Sequence, residues 1–401
     1  MGGRLLDFVR HDDRGRDVTD SAEHHRRARA RPAALRIGRS MRFAFSEEQE
    51  LIRKSAGELA SRLARISDCR DFAAGKEPFS AALWQGLAET GFTGALIPES
   101  HGGSALGMVE AGNVLEVLGG SLSSVPYLGT CVLAAEIIEE LGSDAQRDEW
   151  LPGIASGGLT VSVLGLLQPA TGATGSARGR WAPVLCAAGV DILLVRVEDG
   201  ANQWFIVLPP DSAHLVVEPM VTMDRSRRFA AVRLNDCLIA KIQRLAAPLQ
   251  PALVSRLQAM AAAGAAAEML GVATRVLDMA CAYATERQQF GRPIATFQAI
   301  KHMIADQAVA LEGLRSAVWA ALWTIDHKPA QAVVAAALAK ATADEVATRL
   351  AVESIQIHGG MGFTAEVDAH LYLKRAQLDR ILWAPAHFHQ EILARYLEDL
   401  A

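Results

Sequence analysis

The stretch "YATERQQFGRPIATFQAIKHMIAD", residues 283–306, decides how the rest of the chain is read. A helical period runs into it from an alanine-rich segment, breaks between Arg287 and Pro293, and resumes at Gln298. An arginine fork and free backbone N–H groups at a helix junction suit a pyrophosphate. A packed turn with a surface arginine would look the same, and this stretch alone leaves both readings open. A second punctuated stretch, "IQIHGGMGFTAEVDAHLYLKRA" at 355–376, ends a helix that starts near Ala330. Its glycines Gly359, Gly360 and Gly362 either let backbone approach a phosphate closely or simply cap the helix.

Working outward, the period changes twice along the chain. Ser46 and Gln49 in "FSEEQELIRKSAGELASRLA" form a capping box before Leu51, Ile52, Leu59 and Leu63, which repeat at helical spacing. Helical patterns continue through "ALWQGLAETG", "MVEAGNVLEVLGG" and "CVLAAEIIEELG". Short β-branched and aromatic runs follow, "DILLVRV", "QWFIVLP" and "FAAVRLNDC", with Asp199-Gly200 as the turn between the first two. After Pro251 long helices return, and the Ala and Gly in "LQAMAAAGAAAEMLGVATRVLDMACAYATER" permit close helix packing. The expected organisation is a mainly α protein with a central β domain: a disordered leader over 1–40, an N-terminal helical domain over 41–157, a β domain over 158–245 and a helical bundle over 246–401. The leader mixes charges of both signs with Pro and Gly, and Met41 is a candidate start.

Half of the 401 residues are apolar and 21% are charged, the composition of a globular chain with a sizeable core. A formal charge of -5 gives no electrostatic reason to expect nucleic acid or an anionic membrane as partner. Five scattered cysteines lack zinc or dithiol spacing and suit a reducing cytoplasm. No apolar run of about 18 residues is free of charge or turn signals, and no hydrophobic signal segment opens the chain. His358, His370, His387 and His389 have no metal spacing and are expected to be satisfied loop or helix histidines.

From Phe43 onward the chain resembles the flavin-dependent acyl-CoA dehydrogenases. The likeness rests on the two stretches above, with "FSEEQELIR", "GFTGALIPESHGGSALG" and "GSDAQRDEWLPGIASG" before them. It implies an N-terminal helical domain, a small β domain and a C-terminal four-helix bundle. It also implies α,β-dehydrogenation of an acyl-CoA with FAD, and an electron acceptor such as an electron-transfer flavoprotein. In that family Arg-x-x-Phe-Gly and Gln-x-x-Gly-Gly hold the adenosine diphosphate part of a FAD whose flavin ring lies in a neighbouring subunit. By resemblance those residues are Arg287, Phe290, Gln298, Gln356, Gly359 and Gly360.

The residues expected to serve this chain's own flavin ring depart from the family pattern. "LLQPATGATGS" puts Leu167 and Gln168 where Thr and Glu are usual, and the following segment is shortened, with Trp181 falling early as a packing residue. The usual catalytic glutamate position, counted from Gln356, is Trp383, and the alternative position on the preceding helix is Ala261, beside Ala262. Glu268 is a candidate relocated base; Asp379 and Glu366 read as more exposed carboxylates. Some actinobacterial relatives pair a competent subunit with a degenerate one in a two-plus-two heterotetramer, and this chain resembles the degenerate type. The other readings are a self-contained homotetramer with a relocated base, and a scaffold or CoA-binding module that keeps only the fold.

Overall fold

The computed structural model describes residues 45–172, 175–239 and 242–400. The leader and the candidate start at Met41 lie outside them.

Helix α1 (Glu47–Leu63) begins at the expected capping box: the Gln49 amide donates to Ser46 Oγ at 3.2 Å and the Ser46 amide to Gln49 Oε1 at 3.0 Å. Glu47, Glu48 and Glu50 place negative charge in the first turn, where the helix dipole favours it. After α2 (Ile66–Ala74) and α3 (Ala81–Glu89) comes α4 (Met108–Gly120), almost wholly buried. A π-helical turn (Leu128–Ala134) leads into α5 (Ala135–Leu141), and α6 (Asp144–Ala155) closes this helical part.

Two three-stranded sheets follow. One has the order β1 (Val161–Leu164), β3 (Ile192–Asp199), β4 (Asn202–Leu208); the other β2 (Ser176–Leu185), β6 (Phe229–Leu238), β5 (Leu215–Met220). Strands β1 and β3 run parallel and the other pairs antiparallel. Leu193, Val195, Val197, Ile206, Val232 and Leu234 fill the core they share. The β3–β4 turn falls at Asp199-Gly200 as read from sequence, with Gly200 at φ 63°. The segment read as shortened is a ten-residue strand, β2, whose Gly179 and Pro183 hide its pattern.

Helix α7 (Pro251–Glu286) forms the axis of the C-terminal part, with α8 (Gln298–His327) and α9 (Ala332–His358) beside it and the shorter α10 (Ala369–Asp379) and α11 (Ala386–Leu400) completing it. By length and composition α7 and α8 are apolar enough to cross a bilayer, but 89% of the apolar window of α7 is buried inside the protein. It is a core helix.

Glycines set the α4–α7 crossing. A Cβ at Gly119 would lie 1.9 Å from the Glu268 carbonyl oxygen, and one at Gly271 1.8 Å from that of Glu116. Backbone faces backbone there, so a methyl group has no flexible neighbour to displace. Gly271→Ala is therefore expected to destabilise the protein by about 1–3 kcal/mol, although alanine is the better helix former. Gly313→Ala, on α8 with no atom within 4 Å of the added Cβ, should instead stabilise it by up to about 1 kcal/mol. Denaturant titration of the two variants beside the parent checks both signs.

Candidate functional site

The two punctuated stretches meet at one end of the helical bundle. Helix α7 stops at Glu286, and Arg287 caps it in extended conformation, with its amide on the Tyr283 carbonyl at 2.8 Å. A small hairpin follows, β7 (Gln288–Gln289) against β8 (Arg292–Pro293). Phe290 at φ 53° and Gly291 at φ 77° form its turn, both in the left-handed region that a two-residue hairpin requires. Phe290 is 91% exposed despite its size and its strained backbone. Its ring meets Phe297 edge-on at 6.1 Å, and the Arg292 guanidinium covers the other ring at 4.3 Å.

Helix α9 ends at His358 and the chain turns at Gly359, φ 61° and ψ −139°, a conformation that suits glycine. One turn before Arg287, Tyr283 stacks on His358 at 4.4 Å, and Ser354 Oγ donates to the Val276 carbonyl at 3.1 Å. The ends of α7 and α9 thus stand side by side, and the two stretches share a surface. Arg287, Phe290, Gln298, Gln356, Gly359 and Gly360 are all exposed, and a Cβ at Gly359 or Gly360 would meet nothing within 4 Å.

The positions read as degenerate collect elsewhere, around a cleft of about 330 Å³. Leu167 and Gln168 come from the loop after β1, Trp181 from β2, and Trp383 from the turn before α11. Trp181, expected only to pack, both packs on the β core and walls the cleft, donating from Nε1 to the Gln168 carbonyl at 2.9 Å. Trp383 and Ala384 have φ of 57° and 88°, two successive left-handed residues with a side chain. Among the described residues lining the cleft there is no carboxylate, and the hydroxyl among them, on Ser162, is committed to the Leu185 carbonyl at 2.7 Å.

The candidate carboxylates lie away from that lining. Glu268 is buried and accepts from Arg227 at 2.8 Å. Its partner comes from the loop between β5 and β6, which its apolar helical neighbours gave no means of foreseeing. Asp379, read as exposed, is 1% exposed and pairs with Arg227 at 3.2 Å. The pattern misled because an arginine distant in sequence satisfies it inside the protein. Burial drives the Asp379 carboxyl up to about 7, against the pull of Arg227. Glu366 is exposed.

Two of the histidines depart from the expectation. His358 is satisfied through the Ser354 carbonyl at 2.7 Å, but His389 is buried with neither ring nitrogen hydrogen-bonded. It faces the carbonyls of Trp383 and Ala384, and burial pulls it down to about 4. Nδ1 of His370 is likewise buried without a partner. Among the described residues, no three His, Cys, Asp or Glu side chains group as metal ligands.

Residues 46–158 match the acyl-CoA dehydrogenase N-terminal domain, and residues 253–397 the acyl-CoA dehydrogenase C-terminal domain. Acyl-CoA dehydrogenase IpdE2 of Mycobacterium tuberculosis is 31% identical over 82% of this chain and 91% of its own length. Among solved structures, the ChsE4-ChsE5 complex of Mycobacterium tuberculosis superposes with TM-score 0.80 at 25% identity, covering 89% of this chain and 99% of the matched one. A variant of the Tcur3481-Tcur3483 steroid ACAD does so with TM-score 0.79 at 26% identity, covering 88% and 98%. The chain belongs to the acyl-CoA dehydrogenase family, whose members are FAD-dependent oxidoreductases with this three-part fold.

The two surfaces differ in their fit to FAD. The exposed Arg287, the glycine turn and the two glutamine amides present donors that match a diphosphate. The cleft fits a flavin ring poorly: a flavin has a hydrogen-bonding edge, and the described wall is largely Leu, Val, Pro, Ala and Trp, with the Ser162 hydroxyl and the Trp181 indole N–H already committed and Gln168 and Arg180 as its other polar side chains.

Asp379 yields a pH prediction. Its folded-state pKa is raised above the ordinary 3.8, so the folded protein holds this proton more tightly than the unfolded chain. The contribution to stability is fully present below about pH 4 and is lost as pH rises through about 7. Asp379→Asn leaves Arg227 with one charged partner and removes this dependence. Melting temperatures of the two proteins measured from pH 5 to 8 should shift steadily in favour of Asp379→Asn as pH rises.

Proposed function

We propose that this chain is the supporting subunit of a heteromeric acyl-CoA dehydrogenase. Its outward surface completes the FAD site of a competent second subunit. The observation that carries the reading is the contrast between the two surfaces. The Arg287–Gly360 surface is open and has free donors, whereas the chain's own cleft, among the described residues, has no carboxylate and a mostly apolar wall. The solved relatives named for two chains, ChsE4-ChsE5 and Tcur3481-Tcur3483, support a two-chain assembly.

When bound, FAD supplies the hydride acceptor for α,β-dehydrogenation of an acyl-CoA thioester. On this reading Arg287 binds the diphosphate as a charge-assisted fork, Gly359 and Gly360 bring backbone close to it, and the Gln298 and Gln356 amides orient it. Phe290 covers it on the side facing solvent, and the partner provides the base. Electrons pass onward to an acceptor such as an electron-transfer flavoprotein. Five unpaired thiols and a soluble fold accord with the cytoplasm. Trp383 occupies the base position and cannot take a proton, while Glu268 is held by Arg227.

Two substitutions test this. Arg287→Ala should lower the FAD affinity of the co-purified complex by about 10-fold or more, the scale of a contact to a charged group, with the partner's sequence untouched. Flavin absorbance per complex and acyl-CoA turnover should fall together. Trp383→Glu restores a carboxylate to a cleft that holds no flavin and should give no dehydrogenase activity in this chain alone. A fully flavinated Arg287→Ala complex or an active Trp383→Glu homomer would refute the proposal.

A further inference from the structure

If the cleft holds no flavin ring, it is still a formed cavity. Its volume of about 330 Å³ falls at the lower end of small-molecule sites, and its lining has the usual make-up of one: aliphatic and aromatic walls with few polar groups. Trp181 and Trp383 contribute the large flat surfaces. The turn that carries Trp383 holds two consecutive residues with side chains in the left-handed region. Such strain persists only where the surrounding structure enforces it, and it collects at ligand clamps.

Among the described lining residues one carries a charge. Arg180 lines the cleft from β2, is exposed, and forms no ion pair among the described residues. Directly across the strand pair stands Arg233 of β6, likewise exposed and without an ion pair among the described residues. Like charges opposite one another on a sheet face repel. The neighbouring position shows the usual remedy, since Arg178 is neutralised by Asp236. Among the described residues no carboxylate does this for Arg180 and Arg233: Glu218 on β5 faces Ala231, one diagonal step from Arg233, without pairing with it. An apolar cavity with one uncompensated guanidinium group in its lining, and a second across the strand pair adding to the positive charge, complements an amphipathic anion.

We propose that this cleft binds a compact apolar molecule with a single anionic head, such as a medium-chain carboxylate. The body lies against Trp181 and Trp383, and the head is at Arg180. The inference rests on the reading that this chain holds no flavin ring of its own. Bound there, the ligand is not turned over, because the described lining offers no carboxylate to take a proton.

Isothermal titration calorimetry of the full chain with decanoate, decanol and decanoyl-CoA tests it. Decanoate should bind saturably at one site per chain, more tightly than decanol. Arg180→Gln, an exposed substitution that leaves the core intact, should weaken decanoate about 10-fold and leave decanol unchanged. Absence of saturable decanoate binding, or equal affinity for decanol and decanoate, would overturn the proposal. So would decanoyl-CoA binding as tightly as decanoate with the same dependence on Arg180, which would make the cleft a thioester pocket. Flavin absorbance of the same preparation separates the two readings. A colourless chain that ignores decanoate defeats only this inference, whereas a chain that purifies yellow defeats the supporting-subunit reading as well.

Discussion

A short segment between β5 and β6, Asp224 to Arg227, holds the three parts of this protein together by buried charge. Asp224 accepts from Arg375 of α10 at 2.8 Å, and the same guanidinium donates to the Leu122 carbonyl at 3.1 Å, beyond the end of α4. Three residues on, Arg227 joins Glu268 of α7 to Asp379 at the end of α10. Burial works against the Arg227 charge, but its two carboxylates outweigh that and hold it firmly protonated. Buried pairs add little net stability over apolar packing, yet losing one partner leaves an uncompensated charge, at a cost of about 3–5 kcal/mol. Their effect here is geometric: they tie the β5–β6 loop to α7, to α10 and to the chain just beyond α4.

The cleft inherits its shape from these ties. Asp379 lies two residues before Ile381, where the cleft wall begins. Lys340 of α9, itself paired with Asp344 at 2.6 Å, reaches the Arg380 carbonyl at 3.4 Å. His389 lies under the Trp383 turn with its ring unpaired. The segment that bears Trp383 is therefore anchored at its start by the Asp379 and Lys340 contacts, while its residues in the cleft wall are apolar. A wall built in this way accommodates strained backbone angles, because the surrounding contacts over-determine them.

The surface at the ends of α7 and α9 is built on the opposite principle. Tyr283 and His358 fix the two helix ends by stacking, and beyond them the donors and glycines are left exposed. A group that is to meet a ligand lying outside the chain must remain unsatisfied until that ligand arrives, so exposure of Phe290 and Arg287 is consistent with a shared site rather than with a fault in packing. The cleft, by contrast, has committed its Ser162 hydroxyl and the Trp181 indole N–H internally.

Much of the fold was legible in the sequence because it rests on local rules. The Ser46 capping box, the Asp199-Gly200 turn, the helix break at Arg287 and the glycine stop at Gly359 depend on neighbouring residues, and periodicity separated the helical parts from the strands. The motif stretches named the family and the candidate FAD contacts in the same way. Strand β2 escaped because Gly179 and Pro183 interrupt its alternation. What only the tertiary structure decided was the fate of the charges and the company of Trp383. Glu268 and Asp379 looked like a candidate base and an exposed acid until Arg227, from a loop with no local signature, occupied both; likewise Leu167, Trp181 and Trp383 became one wall only when β1, β2 and the turn before α11 came together. Ionic partners and cavity linings are set by which distant segments meet, and that depends on packing across the whole chain, to which no window of sequence has access.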